Sequence, residues 1–157
     1  MFFRKKHSKE KVNERIHEYF MYRDSLTALT NNAYAVKRYN ELKDNESGGA
    51  VMVVLDGCDS LPIYKAEKLI SETGLLLPRI LEGEFSRLQF GEFILFTQKV
   101  EEDRAKLEFF LGNFAENGQN YMVSGGLFDT NESFELFLRR MRRCGKAKAY
   151  ENAQQKR

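Results

Sequence analysis

Asp56 stands directly after the apolar run Ala50-Val-Met-Val-Val-Leu55, and Asp59 follows three residues later. A carboxylate at the end of a buried strand is where a sheet presents functional groups, and it is equally a turn former. Arg87 and Glu92 flank Leu88-Gln-Phe-Gly91, a segment that reads as the turn of a hairpin. Both charges would then sit at the rim of the sheet. Carboxylates in such places accept hydrogen bonds and partner cations, and arginines partner anions. Further charge is gathered at the two ends. Arg4, Lys5, Lys6, Lys9 and Lys11 crowd the start, and Arg139, Arg140, Arg142, Arg143, Lys146 and Lys148 the end. These runs read either as solvated helix faces or as a patch for phosphate or another anionic partner.

Other chemistry is poorly provided for. Cys58 and Cys144 have neither metal-ligand spacing nor a disulfide framework. Reduced thiols in a cytoplasmic protein are expected. His7 and His17 lie in a polar segment and read as exposed side chains. The basic residues after Met1-Phe-Phe are not followed by an apolar run, so the start does not read as a signal peptide. No stretch approaches the roughly 20 apolar residues of a spanning helix, so no membrane association is expected.

The elements that would position these groups can be read from periodicity. The 157 residues, 42% hydrophobic and 31% charged, suit one globular core, and a formal net charge of +2 gives no global field for nucleic acid. A helix is expected from about Ser8 to Arg23, with Val12, Ile16, Tyr19 and Phe20 forming one apolar stripe. Such a stripe packs either on a second copy or back onto its own domain. Asp24 and Ser25 are helix-cap types, Leu26 and Leu29 are apolar anchors, and Asn31-Asn32 opens a second helix to Leu42. Ala50–Leu55 reads as a central strand buried on both faces. A helix from Leu61 to Leu81 would begin at Pro62, be interrupted at Gly74, and be kinked or ended by Pro78. In the hairpin, Gly91 is the residue expected to reach positive φ. A helix follows over Lys99–Asn117, with Leu107, Phe110, Leu111 and Phe114 inward. Then come a strand over Asn120–Phe128, with Gly125 and Gly126 for close packing, and a last helix with Phe134, Phe137, Leu138 and Met141 inward, running to about Ala153. The order implies an α+β sandwich with a mixed, mainly antiparallel sheet of about five strands flanked by helices.

In that order the residues resemble a GGDEF domain, the fold of bacterial diguanylate cyclases, related to the palm of nucleotide cyclases and polymerases. Asp24-x-Leu26-Thr27-x-Leu29-x-Asn31 is similar to the family's Asp-x-Leu-Thr-Gly-Leu-x-Asn-Arg, with Ala28 and Asn32 as departures. Val51–Asp56 is similar to its first strand, which ends in a metal-binding Asp. Arg87-Leu-Gln-Phe-Gly-Glu-Phe93 falls where the family has Arg-x-Gly-Gly-Asp/Glu-Glu-Phe. Ser124-Gly-Gly126 resembles a later Ser-x-Gly strand, and Ala149-Tyr150 with Ala153 loosely resembles the last helix. The likeness covers about Tyr22 to Gln154. It implies residues 1–22 as a signalling-type helix and 23–157 as the domain.

The departures bear on function. Gln89 and Phe90 occupy the two glycine positions and Gly91 the metal-binding acidic one, while Glu92 and Phe93 keep their places. Cyclase chemistry, implied by the family, joins two GTP molecules and needs divalent metals held by carboxylates of the first strand and the hairpin. Gly91 has no carboxylate, and Phe90 would fill or block the space near a nucleotide unless it turned into the core. Asp56, Asp59 and Glu92 are then vestigial metal or nucleotide groups. Arg79 and Glu82 resemble the family's Arg-x-x-Asp inhibitory site one residue out of register.

The leading expectation is a catalytically inactive, degenerate GGDEF-like signalling domain with no cofactor. It would bind a guanine nucleotide such as GTP or cyclic di-GMP, or a protein partner or second copy through the N-terminal helix. The alternative is a divergent cyclase or other nucleotidyl-transfer enzyme using Mg²⁺, Asp56, Asp59 and a Glu92 swung into the place left by Gly91. A nucleic-acid-binding palm is a further alternative and is not favoured, because Phe93, Phe96, Phe110 and Phe114 read as core and not as stacking platforms.

Overall fold

The computed structural model describes the backbone of residues 2–113 and 120–155 and the side chains of residues 9–113 and 120–145. Expectations for Phe114, for the helix stop at 116–118, for His7 and the first basic residues, and for the side chains beyond 145 lie outside that description. The described elements are α1 (Phe2–Tyr22), α2 (Asn32–Leu42), β1 (Gly49–Leu55), a 3-10 turn (Cys58–Ser60), α3 (Ile63–Ile80), β2 (Ser86–Arg87), β3 (Glu92–Thr97), α4 (Val100–Asn113), β4 (Tyr121–Leu127) and α5 (Phe134–Gln155). Among the described residues, no helix is long and apolar enough to cross a membrane.

The sheet has the order β2-β3-β1-β4. Every strand pair is antiparallel. The expected α+β sandwich with a mainly antiparallel sheet is found, with four strands in the place of about five. Among the described residues, parallel pairing is confined to one bridge, Thr30 to Ser86. There the backbone N–H of Arg87 donates to the Thr30 carbonyl at 2.9 Å, and the hydroxyls of Thr30 and Ser86 lie 2.6 Å apart. The 24–31 segment thus covers the exposed edge of a two-residue strand.

β1 is central because it is apolar at consecutive positions, which lets it bury both faces. Val51, Val53 and Leu55 meet Phe93 and Leu95 of β3 and pack under α3 and α4, with Ile70, Leu77, Leu107 and Leu111. Met52 pairs with Ile94 and Ala50 with Phe96, and they pack under α2 and α5, with Ala35, Tyr39, Phe137 and Met141. The period of two along the strands therefore assigns each residue to one of two cores. β4 carries its glycines where α4 and α5 press close. A Cβ on Gly125 would stand 2.9 Å from Val100, and one on Gly126 2.7 Å from the Met141 sulfur.

Four local expectations change. α1 begins six residues earlier than the cap-type Ser8 implies, at Phe2. Gly74 does not interrupt α3; a Cβ there would stand 2.8 Å from Thr27, so it lets the helix run against the 24–31 segment. Pro78 lies in the final turn, and α3 ends two residues beyond it, at Ile80. On α4, Leu107 and Leu111 are buried while Phe109 and Phe110 are exposed, so Phe110 is not core. The three- and four-residue spacing allows Phe110 inward, but α4 sets only one narrow face on the sheet.

The apolar stripe of α1 does not fold back. Val12, Ile16, Tyr19, Phe20 and Met21 are exposed, Phe20 at 73%. Among the described residues, the hydrogen bonds that tie α1 to the domain lie at its end. Asn31 donates its side-chain N–H to the Met21 carbonyl at 2.8 Å, and its backbone N–H donates to the Tyr22 carbonyl at 2.9 Å. The same residue caps α2 by accepting from the Tyr34 N–H.

Candidate functional site at the hairpin tip

The hairpin closes through Gln89-Phe90-Gly91. The Leu88 N–H donates to the Glu92 carbonyl and the Glu92 N–H to the Gln89 carbonyl, each at 2.9 Å. The residue at positive φ is Phe90, at 43°, not Gly91 as the sequence implies. Its ring does not enter the core, being 66% exposed. Gly91 has a different reason to be glycine. Its carbonyl accepts from the Leu55 N–H at 2.9 Å, and a Cβ on it would stand 2.8 Å from the Leu55 Cβ. The missing side chain is thus the condition for this backbone to lie on the last residue of β1. Ala28, the departure from glycine in the 24–31 segment, likewise has positive φ, at 60°. At both positions the chain keeps a glycine-like backbone without glycine, at the cost of local strain.

Glu92 keeps its place in sequence but faces away from Gly91. It pairs with Val54, which puts its side chain on the α2 and α5 side of the sheet, where it is 8% exposed. Arg142 of α5 holds the carboxylate with two bonds, Nε to Oε2 at 2.7 Å and Nη2 to Oε1 at 3.0 Å. That hydrogen bonding raises the Arg142 pKa against the opposing effect of burial. The expectation that Glu92 could swing into the place left by Gly91 meets this contact: the carboxylate would have to leave Arg142 and change faces.

Arg87 is fixed on three sides. Its Nε and Nη2 donate to the two carboxylate oxygens of Asp24, each at 2.9 Å, and its Nη1 donates to the Phe90 carbonyl at 2.9 Å. Asp24 also accepts from the N–H and hydroxyl of Thr27. Burial pushes the Asp24 pKa up, but the bonds from Arg87 and Thr27 and the charge of Arg87 outweigh it. The carboxyl is held below its ordinary range. Local sequence marks Asp24 only as a helix-cap type. The pairing partner lies 63 residues away, and no local pattern links the two.

The other singled-out acids are more peripheral. Asp56 and Asp59 are exposed, on either side of the buried Cys58, whose thiol burial pushes up, helped by the charge of Asp59. Asp56 donates its backbone N–H to the Asn120 carbonyl at 2.9 Å, so it also ends the β1–β4 ladder as a turn former would. Arg79 in the last turn of α3 and Glu82 just past it are both exposed. Among the described residues, no three His, Cys, Asp or Glu side chains gather as a metal site would require. Cys58 and Cys144 are both free thiols.

Beside the tip lies a groove of about 430 Å³ between α2, the hairpin and α5. Val36, Leu88, Phe134 and Leu138 line its apolar part, with Arg142 and Gln89 among its polar groups. Three of the described arginines of α5 have acidic partners. Arg139 pairs with Glu135, Arg140 with Glu132, and Arg142 with Glu92. Phe93 is fully buried and Phe96 packs against the second core, so neither offers a stacking face.

Solved structures of similar shape decide what this frame is. A GGDEF domain of FimX from Pseudomonas aeruginosa aligns with a TM-score of 0.65 at 18% identity, covering 83% of this chain and 94% of that one. The coiled coil and GGDEF domain of DgcB from Caulobacter crescentus, in complex with c-di-GMP, aligns with a TM-score of 0.72 at 11% identity, covering 96% and 93%. The fold is that of a GGDEF domain. The diguanylate cyclase SiaD from Pseudomonas aeruginosa, solved with its activator SiaC, aligns with a TM-score of 0.70 at 16% identity, and this chain spans 65% of it. At such identities the GGDEF likeness carries the fold and no more. No protein-family model matches the sequence, and no curated protein does.

Proposed function

We propose that this chain is a catalytically inactive GGDEF-like signalling domain of the bacterial cytoplasm. Its state is set by binding a nucleotide such as GTP or cyclic di-GMP, or a protein partner or second copy. The observation that supports this most is the packing of Gly91 on Leu55. The hairpin position that would supply a metal carboxylate has no side chain, and a Cβ there would meet the Leu55 Cβ at 2.8 Å. Glu92, the neighbouring acid, is occupied by Arg142. Asp56 and Asp59 remain, and they do not make up a carboxylate set for the metal ions that phosphoryl chemistry needs. On this reading no Mg²⁺ is held and no reaction step passes through one.

Partner binding is favoured by α1. Its exposed stripe, Val12, Ile16, Tyr19 and Phe20, has the spacing of a helix seam and no cover from its own domain. Residues 1–22 then act as the input element and 23–157 as the responding domain. Among structures of the same fold, one contains a coiled coil and c-di-GMP, and another an activator protein. These ligands are the natural first probes for this chain.

The test is direct. Purified protein incubated with GTP and Mg²⁺ or Mn²⁺ is expected to yield no cyclic di-GMP, and clear production would overturn the proposal. Thermal shift against GTP, GMP, cyclic di-GMP and cyclic di-AMP, with and without metal, identifies a nucleotide ligand, because a ligand specific for the native state must stabilise it. Sedimentation over a range of concentrations reports self-association, and Ile16→Glu is expected to abolish it.

A further inference from the structure

We propose that Arg87 is a latch that holds the hairpin tip in its strained form and ties that form to the end of α1. Phe90 sits at φ 43°, a conformation that L side chains disfavour and that glycine would adopt freely. Its carbonyl is held there by Arg87 Nη1 at 2.9 Å. The Nε and Nη2 of the same guanidinium are held by the Asp24 carboxylate, so Arg87 is anchored and does not follow the tip if the tip moves. Strain of this kind and one charge-assisted hydrogen bond are of comparable size. Loss of a single contact is therefore enough to let Phe90 leave the left-handed region, which makes the tip a two-state element.

The latch reaches α1 through a short series of contacts. Asp24 lies two residues beyond Tyr22, where α1 ends. Its backbone N–H donates to the Leu29 carbonyl, and Thr27 grips its carboxylate. Asn31 binds the carbonyls of Met21 and Tyr22, and more weakly that of Arg23. A rotation of the α1 end must move Asp24 against Arg87, and Arg87 against Phe90. The exposed ring of Phe90 is then the reporter of the α1 state. The latch stands on hairpin contacts, whereas its use as a signal rests on the reading of α1 as the input helix.

Amide hydrogen exchange of the full chain, read over residues 88–92, tests this without any ligand. Arg87→Lys keeps the charge but cannot serve Asp24 and Phe90 together, and is expected to speed exchange there roughly tenfold. Asp24→Asn should act in the same sense, because it frees the guanidinium from its anchor. Phe90→Gly removes the strain, so Arg87→Lys in that background should leave exchange at the tip nearly unchanged. Equal acceleration by Arg87→Lys with and without Phe90→Gly, or none in either background, would overturn the latch. Acceleration by Arg87→Lys without any from Asp24→Asn would overturn the tie to α1. Cyclic di-GMP synthesis by the protein would defeat the inactive reading and leave these outcomes as they are.

Discussion

The Glu92 carboxylate and the Arg142 guanidinium form a two-pronged ion pair across the α5 face of the sheet, at 2.7 and 3.0 Å. The acid that follows the hairpin turn is therefore an internal fastener between β3 and α5. Removing one partner leaves the other largely buried and unpaired, which costs more than the pair itself contributes. Glu92→Gln is expected to lower stability by about 1–2 kcal/mol, discounted because Arg142 keeps some solvent contact. Arg142→Met together with Glu92→Gln should recover part of that loss. Denaturant midpoints of the single and double variants check this, and simple additivity would show that the pair is not coupled.

Gly91→Asp places an acidic residue at the position where the resemblance to GGDEF domains implies one. Its Cβ would stand 2.8 Å from the Leu55 Cβ, an atom that cannot rotate away. The variant is expected to lose about 1–3 kcal/mol, as overpacked sites do, and to make no cyclic di-GMP with GTP and Mg²⁺. Melting and nucleotide assays together decide it. An undestabilised Gly91→Asp protein would mean that the backbone there moves easily.

Ala28 at φ 60° predicts the opposite sign. Ala28→Gly removes strain of a left-handed residue and adds the chain entropy of glycine, with a net gain of about 1 kcal/mol or less. The thermal midpoint should rise slightly. A drop would mean that the alanine methyl contributes packing that outweighs its strain.

Asp24 makes stability depend on acid. Its folded-state pKa lies below the unfolded value: burial acts to raise it, and the hydrogen bonds from Arg87 and Thr27 overcome that effect. The contribution is complete above the ordinary carboxylate range of about pH 4 and is lost as pH falls through the lower folded value. Asp24→Asn should flatten that part of the acid-unfolding curve and leave its slope unchanged near neutrality. Urea unfolding at stepped pH measures both.

Tyr34 acts at the other end of the scale. Burial and its hydrogen bond to Glu84, at 2.6 Å, push the phenol up to about 12. Its stabilising share is present below the ordinary tyrosine range of about pH 10 and disappears as pH rises through the folded value. Tyr34→Phe should remove this alkaline dependence, which ultraviolet titration of the phenolate would follow.

Much of this protein is written in local pattern. The unbroken apolar run Ala50–Leu55 determined a strand buried on both faces, because no other element buries consecutive side chains in opposite directions. Phe134, Phe137, Leu138 and Met141 determined the inward face of α5, and the order of short motifs pointed to the GGDEF fold. Absence was legible too, since Gly91 carries no carboxylate in any conformation. Tertiary structure decided what spacing could not express. It put positive φ on Phe90 and not on Gly91, because Gly91 has to lie against Leu55. It turned Glu92 toward Arg142, and it joined Asp24 to Arg87 across 63 residues. Such contacts depend on which atoms the packed sheet brings within about 3 Å, the range of a hydrogen bond, and distance along the chain carries no trace of that.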